Sequence, residues 1–467
     1  MFSPYLASRH ELCRQLLARL KDRYEYVSIL GKHITGRTVR VTTASTFVGE
    51  TQEKQCGFVV KLYNGSAYSE YSFTDITQSS IDGLEKAIIT SADLPEELLE
   101  QHADMRCLSD EPLIRDFSRP VGGSPLPVPQ LIEKLSALRD KVQSVSGKIV
   151  QAIMNYTDYE VSALFLSKNR ELKQDYGWCS IMGAAVAREG STVQNARDVA
   201  ACNDYEEVFR LMEQKAEQIG RLAEELLRSE LIKPGVYDII TAPSITGLIA
   251  HEAFGHGVEM DMFVKHRAKA RRYVGKPVAS PLVTMHDGAA AVGSCVGYFF
   301  DDDGVLAQDT VIIKDGILEK GISDAVSAAQ LGTAPTGNGR RQDPSRKAYT
   351  RMTNTFFAPG SDKLEDMIAS VKHGYMLFQT SNGMEDPKNW NIQCVAQYGR
   401  EIEDGRFTGR IVAPVVMSGY VPDLLMSISM VSDTWEVIGS GHCGKGYKEW
   451  VPVSDGGPYL KARCKLG

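Results

Sequence analysis

The stretch from about Asp204 to Ile232 constrains the fold more than any other. Val208, Leu211, Met212, Ile219, Leu222, Leu226 and Leu227 recur at helical spacing along one stripe, with Glu, Lys and Arg opposite, and Pro234-Gly235 stops the pattern. A long amphipathic helix that runs into a breaker is a bridge between two halves. The chain has 467 residues, too many for one ordinary core. Two domains are therefore expected, residues 1–235 and residues 236–467, divided near residue 235.

The first half reads as α+β. Leu12, Leu16, Leu17 and Leu20 mark a helix over roughly residues 8 to 23, and a second helix opens at Ile81. Strand-like runs lie between them, with Asn64-Gly65 as one reversal. The Pro-rich passage Pro120 to Pro129 breaks the chain before a helix at LIEKLSALRDKV. Two long strand segments follow, reversed at Ser167-Lys168-Asn169-Arg170, and the strands mostly read as antiparallel neighbours. The second half starts with the strand VYDIITA and a helix begun at Pro243-Ser244, then turns β-rich and Gly-rich past about residue 280. Asp303-Gly304, Lys314-Asp315-Gly316 and Glu403-Asp404-Gly405 are hairpin signals. A largely antiparallel sheet or barrel is expected there, with the helix packed against it.

Composition narrows the function. Hydrophobic content of 43% and charged content of 24% belong to a globular protein, and a net charge of −7 argues against a nucleic-acid surface. No run approaches the ~18–20 apolar residues that span a bilayer, and the N-terminus lacks the features of a signal peptide. Nine scattered cysteines without a Cys-x-x-Cys pair argue against a disulfide scaffold or a zinc ribbon. Buried thiols in a reducing compartment are expected, and the cytoplasm is the expected location.

His251-Glu252-Ala253-Phe254-Gly255-His256 invites comparison with the His-Glu-x-x-His of zinc peptidases, where two imidazoles hold a metal ion and a carboxylate handles the proton of a water. The spacing raises a difficulty. Residues four apart on a helix diverge by about 40°, but residues five apart diverge by about 140°. Two arrangements would bring the histidines together, a π-type bulge or unwinding at Gly255, and the bulge is favoured, with Gly255 and Gly257 tolerating the distortion. Chance alone produces such a pattern in a chain of this composition roughly 1% of the time.

The segments HEAFGHGVEMD, SRKAYTRMTNTFFAPG and GHCGKGYKEWVPVSDGGP, in that order, resemble the TldD/PmbA family of zinc metallopeptidases, historically called modulators of DNA gyrase. They span most of the second half. The resemblance implies the TldD-like catalytic branch, with Cys443 completing a zinc site formed with His251 and His256. Three protein ligands and an open fourth position are the usual catalytic arrangement for zinc. Glu252 is then the expected general base, and later the acid towards the leaving amine. The resemblance also implies small unfolded or extended peptide substrates, bacteriocin precursors and labile antitoxins among them. It implies a homodimer, or a heterodimer with a PmbA-like subunit. Two alternatives stand beside this: a non-catalytic partner subunit of the PmbA-like branch, which lacks the metal motif, and a protein whose zinc is structural. Intact His251, Glu252, His256 and Cys443 argue against the first, and Glu252, without purpose in a closed site, against the second. Neither nucleic acid nor membrane is an expected partner, despite the gyrase name.

Other residues are weaker candidates. His442 adjoins Cys443 and is a candidate to support the metal from behind. Asp301-Asp302-Asp303-Gly304 reads as a solvated hairpin turn ahead of a hard-cation loop. Arg351 is a candidate either to line the substrate cleft or to serve structure. His266 and His286 lack the spacing of a third ligand.

Overall fold

The computed structural model describes residues 2–51, 54–92, 108–293, 296–446 and 449–467. Cys107, Cys295 and residues 447–448 of the C-terminal motif lie outside them.

Two long apolar segments that reverse at Ser167–Arg170 seed the first sheet. Its nine strands are β1 (Tyr26–Thr35), β2 (Arg37–Thr42), β3 (Thr46–Glu50), β4 (Gln55–Tyr63), β5 (Tyr68–Phe73), β6 (Leu113–Arg119), β7 (Ile149–Ser167), β8 (Arg170–Glu189) and β9 (Thr192–Cys202). They run in the order β3-β2-β7-β1-β4-β5, with β8 beside β7, and β6 and β9 on β8. Among the described residues of this sheet only β6 and β8 pair in parallel. Helices Val128–Gln143 and Glu207–Leu226 bury Leu131, Leu135, Met212 and Ile219 against Met154, Tyr156 and Ile181. Helices Pro4–Leu20 and Ile81–Ala92 cover Ile29, Phe58 and Val60. The amphipathic stripe from Asp204 ends sooner than expected, at Leu226 instead of Ile232. Beyond it the backbone is taken up by the other half: Glu230 N–H donates to Ile411 O at 2.9 Å, and Ala413 N–H donates to Glu230 O at 3.0 Å.

The second sheet has eleven strands: β10 (Gly235–Thr241), β11 (Met285–Asp287), β12 (Thr310–Lys314), β13 (Ile317–Leu318), then, past the separate pair β14 (Gly339–Arg340) and β15 (Tyr349–Thr350), β16 (Asn354–Phe357), β17 (His373–Asp386), β18 (Asn391–Glu403), β19 (Arg406–Val412), β20 (Val415–Tyr420), β21 (Met430–Lys445) and β22 (Glu449–Leu466). Strands β10, β17, β18, β20 and β22 close a ring, because β22 pairs back onto β10. The sheet is largely antiparallel, as expected, with two parallel pairings that make it mixed. β10 and β17 are parallel, as are β16 and β22. A parallel neighbour needs a crossover, and the excursion from Ala242 to Lys372 supplies one. That excursion begins with the motif helix, whose Ile245, Leu248, Ile249 and Phe254 pack into the core with Leu377, Ile392 and Val453. None of the described helices is long and apolar enough to cross a membrane, which says nothing of strands.

Two of the hairpin signals behave as two-residue turns, with Asp315 and Gly316 at φ 47° and 82° and Asp404 and Gly405 at φ 46° and 75°. Asp303-Gly304 does not conform to the expected solvated turn. The chain does reverse there, at a Phe300–Leu306 bridge, but Asp301, Asp302 and Asp303 are only 2%, 8% and 6% exposed. Lysines from the first sheet account for this: Lys32 Nζ lies 3.0 Å from Asp302, and Lys61 pairs with Asp303. Backbone N–H groups of Asp303, Val305 and Gly339 donate to Asp301. With Arg341–Glu70 at 3.1 Å, the turn forms an ion-paired seam between the first sheet and the loops of the second half.

Candidate metal centre

Proline at the first turn starts the motif helix as α over Pro243–Leu248. The helix then widens to a π-helix over Ile249–Gly255 and tightens to a 3-10 turn over His256–Val258. His256 N–H donates to His251 O, a bond across five residues. This is the bulge that the one-residue excess requires. It leaves the two imidazoles with centroids 5.1 Å apart at 88°, instead of splayed around a regular helix. The glycines serve a different purpose from the expected one. Gly255 has ordinary helical angles, φ −57° and ψ −51°. A Cβ there would stand 2.2 Å from Met352 Sδ, and one on Gly257 would stand 2.8 Å from Glu385 Oε1. Close packing, not backbone freedom, demands them.

The third sulfur or nitrogen donor arrives from the hairpin β21–β22, where Cys443 faces Val451. Arg351, fully buried, donates to Cys443 O at 2.5 Å and to Glu449 O at 3.0 Å, so it pins that hairpin and does not line a cleft. Ligand atoms of His251, His256 and Cys443 lie within 4.8 Å of one another, and Cys443 Sγ is 3.5 Å from His256 Nε2. A tetrahedral ion with Zn–S of about 2.3 Å and Zn–N of about 2.0–2.1 Å sets sulfur and nitrogen about 3.6 Å apart, so the donors fit zinc. His251 Nδ1 is buried and meets no hydrogen-bond partner among the described residues. Such a nitrogen is costly unless something occupies it.

Charge around the cluster is layered. Glu259, 1% exposed, lies 3.2 Å from His256 Nδ1. Lys445 Nζ reaches Glu259 at 2.9 Å, Asp261 at 2.8 Å and Thr350 O at 2.9 Å. Burial pushes the Cys443 thiol up, but His256 and His251 outweigh it and hold the thiol well below its usual range. Burial likewise opposes charge on His256, and Cys443 and Glu259 override it, raising that imidazole. Burial raises the Glu259 carboxyl, while Lys445 and His256 bring it down to about 2. Glu252 sits on the open side of the cluster, its carboxylate 4.0 Å from His256 Nε2 and its side chain 22% exposed. Gly383 on β17 makes room for it, since a Cβ there would stand 2.5 Å from Glu252 Cγ.

The remaining candidates fall elsewhere. Strand alternation turns His442 away from Cys443, into a cavity of about 450 Å³ that it lines with Lys32, Trp178 and Trp450. His286 pairs with Asp309 at 2.7 Å, and His266 lies beside Arg271. The Glu259–Lys445 tie was not anticipated. Its one local trace is the acidic pair Glu259 and Asp261 directly behind the motif.

A family model for the PmbA/TldA metallopeptidase C-terminal domain matches residues 234–463. A metalloprotease of Methanothermobacter thermautotrophicus is 28% identical over 96% of this chain and 96% of its own length. A zinc metalloprotease TldD homologue of Saccharolobus solfataricus is 29% identical over 72% of this chain and 74% of its own. The fold matches that of a Thermotoga maritima protein described as a candidate modulator of a DNA gyrase, with a TM-score of 0.78 at 14% identity, covering 98% of this chain and 100% of that one. The matched half is the one in which the two histidines and the cysteine converge, and the chain belongs to the TldD/PmbA family of zinc metalloproteases.

Proposed function

We propose that His251, His256 and Cys443 hold the zinc ion and that Glu252 is the general base in hydrolysis of small unfolded or extended peptides. The convergence of the three donors carries this reading. Bound there, zinc supplies Lewis acidity, polarising a carbonyl and easing deprotonation of a water. Glu252, on the open side, takes the proton of the attacking water and delivers it to the leaving amine. Glu259 holds His256 in orientation through Nδ1, leaving Nε2 for the ion. His251 and Cys443 are each 4% exposed, which favours chains thin enough to enter without folded structure. Among the described residues no fourth His, Cys, Asp or Glu joins the cluster, which speaks against a closed structural site. The reading assigns the chemistry to a domain of residues 236–467, with residues 1–235 as a second domain. The working assembly is a dimer, of this chain with itself or with a PmbA-like subunit, to be distinguished by light scattering of the purified protein.

Substitution separates the roles. Glu252→Gln is expected to keep zinc and lose activity on an unstructured peptide by about 10²–10⁴-fold. Cys443→Ala is expected to lose zinc. Full activity in the first, or normal zinc affinity in the second, contradicts the assignment.

A further inference from the structure

The first sheet holds two thiols that the metal centre leaves unused. Strands β8 and β9 form a hairpin that runs without a register shift from Glu189 opposite Thr192 to its open end, where Cys179 stands directly opposite Cys202. Directly opposed residues in antiparallel strands share a face, with Cα atoms about 4.5–5.5 Å apart. A disulfide takes Cα atoms about 4.4–6.8 Å apart. Both sulfurs lie against one oxygen, Asp204 O, Cys179 Sγ at 3.1 Å and Cys202 Sγ at 3.3 Å, and the two thiols hydrogen-bond to each other. Among the described cysteines no other two oppose each other across strands.

The two thiols differ in a way that assigns roles. Cys179 is fully buried, whereas Cys202 is partly exposed. Burial pushes the thiols of Cys13, Cys394 and Cys464 up. Cys202 goes the other way: its hydrogen bond with Cys179 lowers it, against burial and the Asp204 and Glu207 carboxylates, and the Asp204 backbone assists. A thiolate within reach of solvent is the reactive form. Asp204 in turn accepts from the N–H groups of Glu206 and Glu207 at 2.9 Å each. The pair therefore sits at the corner where β9 leaves the sheet for the helix Glu207–Leu226. The same strand docks on the other half of the molecule: Arg197 donates to Thr380 O at 2.9 Å, and Asn195 O accepts from Gln397. A covalent bond between β8 and β9 fixes the open end of that docking hairpin.

We propose that Cys179 and Cys202 form a reversible disulfide in response to peroxide, a redox site separate from the metal centre. Cys202, having lost its proton to solvent, attacks one oxygen of hydrogen peroxide; the O–O bond breaks, hydroxide leaves and Cys202 becomes a sulfenic acid. The Cys179 sulfur then attacks Cys202 Sγ; the S–O bond breaks, the S–S bond forms, and the hydroxyl leaves as water with the Cys179 proton. The two sulfurs together lose two electrons, and the peroxide is reduced to two waters. Thiol–disulfide exchange with a dithiol reverses the bond. In a reducing compartment such a bond is transient and redox-sensing. The proposal is independent of the zinc and Glu252 roles.

The test uses zinc-loaded full-length protein, fully reduced and then treated with hydrogen peroxide. Free thiols are alkylated in denaturant, and peptides are mapped by mass spectrometry without reduction. One crosslink is expected, Cys179 to Cys202, two hydrogens lighter than the free pair and reversed by dithiothreitol. It should form about tenfold or more faster than any other thiol reacts, the factor that one pKa unit of thiolate population supplies. Zinc content should stay unchanged and Tm should rise. Cys179→Ser is expected to leave Cys202 as a sulfenic acid that dimedone traps, and Cys202→Ser to leave Cys179 unreacted. The proposal is overturned if both thiols remain alkylatable while others oxidise, or if Cys202 proceeds to sulfinic acid without crosslinking. It is equally overturned if the two variants react alike, or if zinc is lost in step with the crosslink. The first two outcomes are read on wild type and hold whether or not either variant folds.

Discussion

Glu259 is the residue on which the metal centre leans hardest without touching an ion. It fixes one nitrogen of His256 and is itself held by Lys445. Glu259→Gln should lower zinc affinity by about 10–100-fold while leaving the fold intact, measured by chelator competition. Protons compete for the same atoms. Zinc needs neutral imidazole, and the pKa of His256 is raised by Cys443 and Glu259 against burial. Zinc affinity should therefore fall as pH drops from 8 to 6, with protons released on uptake, which calorimetry in buffers of different ionisation heat would detect. The two histidines of the candidate metal site could be read directly because one short segment holds them. Cys443, 187 residues from His256, came only through a resemblance, and Lys445 not at all, since no local pattern encodes contacts across a sheet. His442 misled because sequence adjacency to Cys443 means opposite faces on a strand.

At the scale of elements, the spacing required a π-bulge or an unwound turn, and Ile249–Gly255 supplies the favoured bulge. Its glycine was read for the wrong property. Gly255→Ala forces Met352 aside and should cost about 1–3 kcal/mol, visible as a lower Tm together with weaker zinc binding, because the displaced turn bears both histidines. The strand turns at Asp315-Gly316 and Asp404-Gly405 were legible from their residue types. The early end of the helix at Leu226 was not, because Glu230 answers to Ile411 and Ala413 across the molecule and not to its own neighbours.

In the whole molecule, the seam of Lys32, Lys61, Glu70, Asp302, Asp303 and Arg341 ties the first sheet to the loops of the second half. Three successive aspartates looked like a wet turn because their lysine partners lie far back in the chain. Lys61→Met strands a buried Asp303 and should destabilise the protein by about 3–5 kcal/mol in denaturant titration. The seam is acid-sensitive. Burial raises the Glu70 carboxyl, but Lys61 and Arg341 overcome it and hold it at about 2 against an ordinary 4.5. A depressed folded pKa contributes stability above the unfolded value, and that stability is lost as pH falls from 4.5 towards 2. A chemical-denaturation series across that range should show the decline, and Glu70→Gln should flatten it.

The closed ring of β10, β17, β18, β20 and β22 also sets when during its own synthesis the protein can become active. A growing chain that has emerged as far as β20 already carries His251, Glu252 and His256, but it lacks both Cys443 and the strand that seals β10. Pairings that far apart in sequence form late. If His251, His256 and Cys443 hold the ion as proposed, the site is first complete once β21 delivers Cys443 and β22 fixes its hairpin, so a half-finished copy is not yet able to cut the nascent chains around it.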